Sequence, residues 1–439
     1  MPRFTALLFL LATALALGAC THKAMDSTPE GAVRSWLDAM EAAADDPQSA
    51  KDAYAMLGPK AKHNLESRAE RASRIQGRHV EGEDMLATGR FGLRFRPESA
   101  GEGHVESWFL QAREPSGRRA LWVRHVVFCP SRRDGRGGAP DVPPMAEVWA
   151  IAFDRESEHV AVKCVVPFEA ARFASRGLDV EVDGCALDRR AAHGRAESGG
   201  RALAWDLAIG DARAAPVVHL PPLLYGAPFP PSKLVTSVSS ALATGTVRVT
   251  RADHAPPEVW DVRGWSTVVG HNWGKAQPAL YAWAHAASWD VPDLVVEAVC
   301  ARVRLGRLPV LSPVLAGVFV RFGGLRLDFG AFEGFGRNAA HVSMRRLEVE
   351  ARSREAALRF ECFAETDELV GLHYPDPAKP DEPRAVLASA VAHVRLELTL
   401  PNPRGALEGH GTRVVTAHAH AASLEIGAME RDHGVPMYV

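Results

Sequence analysis

Between Gly264 and Asp290 the chain concentrates side chains able to do chemistry: Trp265, His271, Asn272, Trp273, Tyr281, Trp283, His285, Trp289 and Asp290. The whole sequence has only 10 Trp and 5 Tyr, so the clustering is local and strong. Imidazole and carboxyl groups can move protons. Indole and phenol faces can wall an apolar ligand or stabilise a developing cation. His271, His285 and Asp290 are therefore the candidate acids. Trp265, Asn272, Trp273, Tyr281 and Trp283 are the candidate ligand contacts. A plainer alternative stands beside this one: the Trp residues plug a barrel end, and His271 and Asn272 satisfy backbone groups of a turn.

The flanks of the cluster alternate apolar and polar residues as strands do, and Gly270-His-Asn-Trp-Gly274 reads as the turn between two of them. Tyr281, Trp283 and His285 alternate in phase and should share one face. Two further acid–aromatic pairs lie earlier, Glu147 with Trp149 and Trp205 with Asp206. Glu147 and Trp149 join the candidate ligand contacts, while the plainer reading makes the acid of each pair a strand-end or cross-strand polar partner. His418 and His420 share a strand face at a spacing that suits a metal pair, but the only carboxylate in the local motif is Glu425. No metal centre or cofactor is implied.

Composition narrows the field. The 439 residues carry a net charge of −2, with 24% charged and 47% hydrophobic side chains, which are ordinary globular values. No Lys/Arg-rich run points to nucleic acid. The sequence has no Gly-rich phosphate loop, HExxH or GxSxG, so nucleotide-dependent, metalloprotease and serine-hydrolase readings lack support.

Order along the chain follows from texture. Met1-Pro-Arg3, the apolar run Leu7–Leu17 and Leu17-Gly-Ala-Cys20 resemble a bacterial lipoprotein signal, residues 1–19, with Cys20 as the lipidated first residue of the mature chain. The resemblance implies a membrane partner through an N-terminal lipid anchor and a place in the bacterial cell envelope; Thr21 after the cysteine favours the outer membrane. Residues 20–90 read as a tether and helices: Val33, Trp36, Leu37 and Met40 fall at helical spacing, Asp46-Pro47 caps a second helix and Pro59 opens a third. This head resembles the N-terminal helices of NTF2-like lipoproteins.

From about Gly89 short alternating runs separated by Gly, Pro, Asp and Arg clusters predict antiparallel strands. A first β domain spans 91–231, ending in the Pro-rich segment Pro216–Pro231, expected to cross between domains. A second spans 232–439, with Tyr374–Pro383 as a loop. Cys129, Cys164, Cys185, Cys300 and Cys362 show no CxxC pairing, and most sit in apolar strands as buried thiols do.

Leu121-Trp-Val-Arg124, Glu147-Val-Trp-Ala-Ile-Ala-Phe-Asp154, Ala204-Trp-Asp-Leu207, the Pro-rich run through Tyr225 and Phe229-Pro-Pro231, Gly270-His-Asn-Trp-Gly274 and Trp283-Ala-His285 together resemble the two-domain lipocalin-like superfamily. That group includes tocopherol cyclases, carotenoid hydratases of the hydroxyneurosporene type and decalin-forming pericyclases. The resemblance, over roughly residues 100–430, implies a mainly β fold of two tandem antiparallel lipocalin-like β-barrels with a ligand cavity in or between them. It also implies chemistry on apolar polyenes or prenyl chains. Three functions follow as expectations: an envelope lipoprotein binding an apolar small molecule such as a lipid or isoprenoid; a cofactor-independent cyclase, hydratase or pericyclase; or a structural envelope protein with filled barrels. An acid inside an aromatic-lined cavity would favour the enzyme.

Overall fold

Apolar side chains recur at every second residue through most of the chain, and a period of two can bury one face only as a strand. The computed structural model describes residues 92–97, 101–132, 142–252, 256–303, 311–322, 325–331, 334, 336–353, 356–401, 412–427 and 433–439. The expected signal segment, Cys20 and the helical head lie outside them.

Twelve strands build the first sheet: β1 (Glu102–Arg113), β2 (Arg119–Ser131), β3 (Met145–Asp154), β4 (Val160–Pro167), β5 (Arg172–Phe173), β6 (Asp179–Val182), β7 (Cys185–Asp188), β8 (Ala191–Ser198), β9 (Arg201–Ile209), β10 (Val217–Val218), β11 (Ser232–Thr250) and β12 (Glu258–Gly274). Their order is β4-β3-β2-β1-β12-β11-β9-β8-β7-β6-β5, with β10 added on β11. Ten build the second: β13 (Leu280–Ala286), β14 (Leu294–Arg302), β15 (Leu315–Phe322), β16 (Leu325–Phe329), β17 (Ala339–Ser343), β18 (Arg346–Arg352), β19 (Ala357–Phe363), β20 (Val370–Asp376), β21 (Lys379–Pro401) and β22 (Thr412–Gly427). Their order is β16-β15-β14-β13-β22-β21-β19-β18-β17, with β20 on β21. All these ladders are antiparallel, and each sheet curls into a half-barrel, as expected for tandem lipocalin-like barrels.

Each half-barrel closes on its own core. Trp108, Leu110, Leu121, Val123, Leu203 and Trp265 fill the first, and Val296, Val318, Val349, Phe360, Leu396 and Leu424 the second. The alternate residues of β1, β2 and β3 face the other way. Phe109, Trp122, Trp149, Ile151 and Phe153 pack with Trp283, Leu372, Tyr374, Val386 and Val391 into a third apolar layer, a seam between the sheets. These strands are therefore apolar on both faces, which is why β1–β3 read as nearly continuous hydrophobic runs.

Three sequence expectations change. Gly270–Gly274 is not a turn. It is the end of β12, paired on one side with β1 and on the other with β11. Its glycines serve close approach: a Cβ on Gly270 would stand 2.2 Å from Phe109 Cζ, and one on Gly274 2.3 Å from the Pro231 carbonyl oxygen. The expected boundary at 231/232 does not divide the sheets, because β11 and β12 both pair in the first one; the chain passes to the second at residues 275–279. The Pro-rich segment accordingly stays with the first sheet through β10. Finally, Tyr374–Pro383 is not a loop. Tyr374 lies in β20, and Lys379 already pairs with Asp376. Pro375 falls at the register shift between Tyr374 and Asp376, a position that needs no ladder N–H.

One device on β12 decides which residues reach which face. Ala243 pairs with Trp265 and Thr244 with Arg263, so Gly264, at φ +65°, is the extra residue of a bulge. Before the bulge Trp260 and Val262 point into the first core; after it Trp265, Val269 and Trp273 do. A one-residue slip exchanges the two faces of a strand, and this one sends His271 inward and Asn272 into the seam.

Candidate functional site

A cavity of about 180 Å³ opens in the seam. Aromatic faces wall it: Phe109 from β1, Trp122 from β2, Tyr281 and Trp283 from β13, and Tyr374 from β20. The Pro-rich segment adds His219, Leu220, Phe229 and Pro230. Phe109 meets Trp283 edge to face across the seam, with centroids 5.4 Å apart. Gly427 leaves room for the Tyr281 ring beside it.

The carboxyl group in this cavity is Glu425 of β22, register partner of Trp283. The Tyr281 hydroxyl donates to it at 2.8 Å. Enclosure by protein pushes the Glu425 carboxyl above the usual carboxylate range; Arg124, Tyr281 and Tyr374 oppose the rise without cancelling it. Arg124 lies over the Tyr374 ring, 4.1 Å from its centroid. Trp149 stands edge-on behind Tyr374 at 5.5 Å. Asn272 reaches the cavity too, with the Ser107 hydroxyl donating to its side-chain oxygen.

A second buried carboxylate braces the wall. Glu297 accepts from Trp283 Nε1 at 2.7 Å and from the Thr236 hydroxyl at 2.7 Å, and His219 Nε2 lies 2.9 Å away. Burial works against its charge, but His219, His285 and Trp283 together hold it below the usual carboxylate range. Glu297 thus fixes the orientation of the Trp283 indole as an ionised acceptor, while Glu425 is biased toward its neutral form. Two carboxyl groups on the strands that flank β13 are driven apart in acidity by their surroundings, an arrangement suited to acid–base work.

The candidates from sequence separate into distinct places. Asn272, Tyr281 and Trp283 line the cavity. Trp149 belongs to the seam, its Nε1 donating to Glu147 at 2.8 Å, and Lys163 pairs with Glu147 at 3.0 Å. Trp265 and Trp273 belong to the first core.

His271 also points into that core. It stacks on Trp108 at 4.7 Å and contacts Glu106 at 2.9 Å. Glu106 accepts from the backbone N–H groups of Arg94 and Phe95 as well. Burial opposes the Glu106 charge, but bonds from His104 and His271 outweigh it and hold the carboxyl at about 2.

His285 faces the seam, fully buried, with both ring nitrogens occupied. Nε2 meets the Ser239 carbonyl at 2.7 Å, and Nδ1 meets the Arg113 guanidinium at 2.8 Å. One partner can only accept and the other only donate, which assigns the neutral Nε2–H tautomer. Burial and the adjacent Arg113 push its pKa down to about 3.

Asp290 is exposed in a larger, more open recess of about 1050 Å³, with Trp289, His418 and His420. There it exchanges backbone bonds with β22, accepting from His418 N–H at 2.8 Å. His418 and His420 form no metal-binding group with other ligands among the described residues. Asp206 is exposed and Trp205 lies in the first core. Cys164, Cys185, Cys300 and Cys362 are free thiols.

Glu425, Arg124, Trp122 and Tyr374 were not singled out as site residues by sequence. The available signal was a charge inside an apolar strand: Arg124 within Leu121-Trp-Val-Arg-His-Val-Val-Phe128, and Glu425 between Leu424 and Ile426.

Among solved structures, the chain is similar to a candidate AttH protein from Nitrosomonas europaea, at 14% identity over 77% of this chain and 98% of that one, with a TM-score of 0.44. It is similar to kievitone hydratase from Nectria haematococca at 12% identity, over 78% of this chain and 95% of that one, with a TM-score of 0.42. It is similar to CghA bound to Sch210972 at 11% identity, over 77% of this chain and 94% of that one, with a TM-score of 0.45. No protein-family model and no curated protein matches the chain.

Proposed function

We propose that the seam cavity is the substrate site for an apolar small molecule of polyene or prenyl type, and that Glu425 is the acid that protonates it. The observation carrying this reading is one carboxyl group, pushed toward its neutral form, inside an enclosure of aromatic faces. A filled structural barrel has no use for such a space, and a simple carrier has no use for the acid.

The reaction class follows from the parts. Glu425 transfers its proton to a substrate double bond, and the cation formed lies against the faces of Trp283, Tyr281 and Phe109. Ring closure or capture by water quenches the cation. The proton released in that step returns to Glu425, so the group ends as it began. Cyclisation and hydration share this sequence and differ only in the quenching nucleophile.

Native mass spectrometry and solvent extraction of protein purified from its host test the first half of the proposal. An apolar molecule should co-purify and raise the unfolding temperature when added back. If none does, the cavity is not a substrate site. Conversion of that molecule separates an enzyme from a carrier.

We further infer that the protein works at a membrane surface of the cell envelope, held by acyl chains on Cys20. The support is the order of basic start, apolar run, small residues and cysteine in the sequence. Labelled palmitate should be incorporated by the parent chain and not by Cys20→Ser; equal labelling would remove the inference.

A further inference from the structure

The cavity carries donors that the acid–base reading does not use. Trp122 and Arg124 lie two residues apart on β2 and so share its cavity-facing side. They are only 3% and 5% exposed. Trp122 Nε1 can only donate, is buried, and has no hydrogen-bond partner. Tyr374 Oη is buried as well, between Arg124 and Glu425. No carboxylate oxygen among the described residues lies within ion-pair distance of the Arg124 guanidinium. A second cation, Lys233, lines the same space, with its ammonium donating to the Pro230 carbonyl at 2.7 Å. Two of the cavity's amide acceptors are occupied: the Asn272 oxygen accepts from Ser107 and the Gln111 oxygen from Ser423.

Burying a guanidinium and an indole N–H without acceptors is unfavourable unless something supplies the acceptors. Trp122 Nε1 and the Arg124 guanidinium are left to donate, and no carboxylate among the described residues pairs directly with that cation. An ionised carboxylate is acceptor-only, carries the opposite charge, and matches the planar fork of an arginine.

We propose that the occupant of the seam cavity is an apolar skeleton ending in a carboxylate, bound by Arg124 with Trp122 Nε1 and Tyr374 Oη as further donors. This rests on the reading of the cavity as a substrate site and adds the head group that orients the substrate. With its head fixed at Arg124, the hydrocarbon part lies along Phe109, Trp283 and Tyr281, toward Glu425. The arginine then acts as a specificity determinant, admitting acids and turning away the corresponding neutral molecules.

Calorimetric titration of the full chain with decanoate, methyl decanoate and decanol tests this. Decanoate should bind more tightly than the ester by on the order of tenfold to a hundredfold, the worth of a charge-assisted hydrogen-bond set. Arg124→Gln should abolish that preference, bringing the ratio of acid to ester affinity close to one. Trp122→Phe and Tyr374→Phe keep the ring packing and should each reduce the preference; they decide the matter if Arg124→Gln does not fold. Equal binding of acid, ester and alcohol overturns the head-group inference while leaving the cavity a site for apolar molecules. No binding of any of the three overturns both.

Discussion

Gly427→Ala probes how the acid is held. An ideal Cβ on Gly427 would stand 2.0 Å from Tyr281 Cε1 and 2.5 Å from Cδ1, where ordinary contact begins at 3.4 Å. The ring must therefore retreat by at least 3.4 − 2.0 = 1.4 Å. Its hydroxyl sits 2.8 Å from Glu425 Oε1, so a shift of that size breaks the hydrogen bond. Overpacking an enclosed site costs about 1–3 kcal/mol. Losing the hydrogen bond adds about 1–2 kcal/mol. The variant should thus be destabilised by about 2–5 kcal/mol in urea unfolding followed by tryptophan fluorescence. Tyr281→Phe alone, lacking only the hydroxyl, should lose about 1–2 kcal/mol. The double variant Gly427→Ala/Tyr281→Ala removes the ring that clashes, so it should be more stable than the sum of its parts by about 1–3 kcal/mol. Because the Tyr281 hydrogen bond holds the Glu425 pKa down against burial, both Gly427→Ala and Tyr281→Phe should raise that pKa further. A cost below about 0.5 kcal/mol for Gly427→Ala, additive with Tyr281→Ala, would refute the packing that this reasoning rests on.

Other perturbations follow from the same contacts. Gly270→Ala drives a methyl into Phe109, 2.2 Å from Cζ, and should cost about 1–3 kcal/mol, with Phe109→Leu recovering most of it in the same unfolding assay. His125 and His285 are buried neutral, pushed down to about 4 and about 3 chiefly by burial. Both folded values lie below the unfolded value of about 6.5, so the stability they contribute is complete above that pH and is lost as pH falls through the folded values. Urea midpoints should be flat from about pH 7 to 8 and fall steadily from about pH 6 to 4, a slope that His125→Gln should reduce. Arg113 donates to the His285 carbonyl at 3.0 Å and to the Ser423 hydroxyl at 2.5 Å, joining the sheets. Arg113→Met should weaken the seam and, by removing a neighbouring cation, raise the His285 pKa in an NMR titration.

What the sequence could show was set by the range of its signals. Alternation is local, so the strands and the two-sheet β architecture were legible, and the phase of Tyr281, Trp283 and His285 put all three on one face, which the fold turns toward the seam. The bulge at Gly264 was not legible, because it depends on how β11 pairs with β12. Without it, alternation could not say which of His271 and Asn272 faces the core and which the seam. The glycines of Gly270–Gly274 were read by their commonest local use, a turn, although the demand on them comes from Phe109 and Pro231, distant in sequence. Arg124 and Glu425 lie 301 positions apart (425 − 124) and meet only because β2 faces β20 and β22 across the seam. Each carried the same muted mark, a single charge in an apolar run, and only the fold could say that the two marks belong to one cavity.

The proposed role of Glu425 as proton donor inside that cavity is isolated by one substitution. Glu425→Gln keeps the shape of the side chain and its bond to Tyr281, and removes only the transferable proton. With the molecule recovered from the purified protein as substrate, this variant should bind with an unchanged Kd and show turnover reduced by about two to four orders of magnitude. The parent's rate should fall as pH rises through the elevated pKa of Glu425, because the protonated form is the active one. A Glu425→Gln protein that converts the substrate at the parent rate, with the same pH profile, would contradict the account.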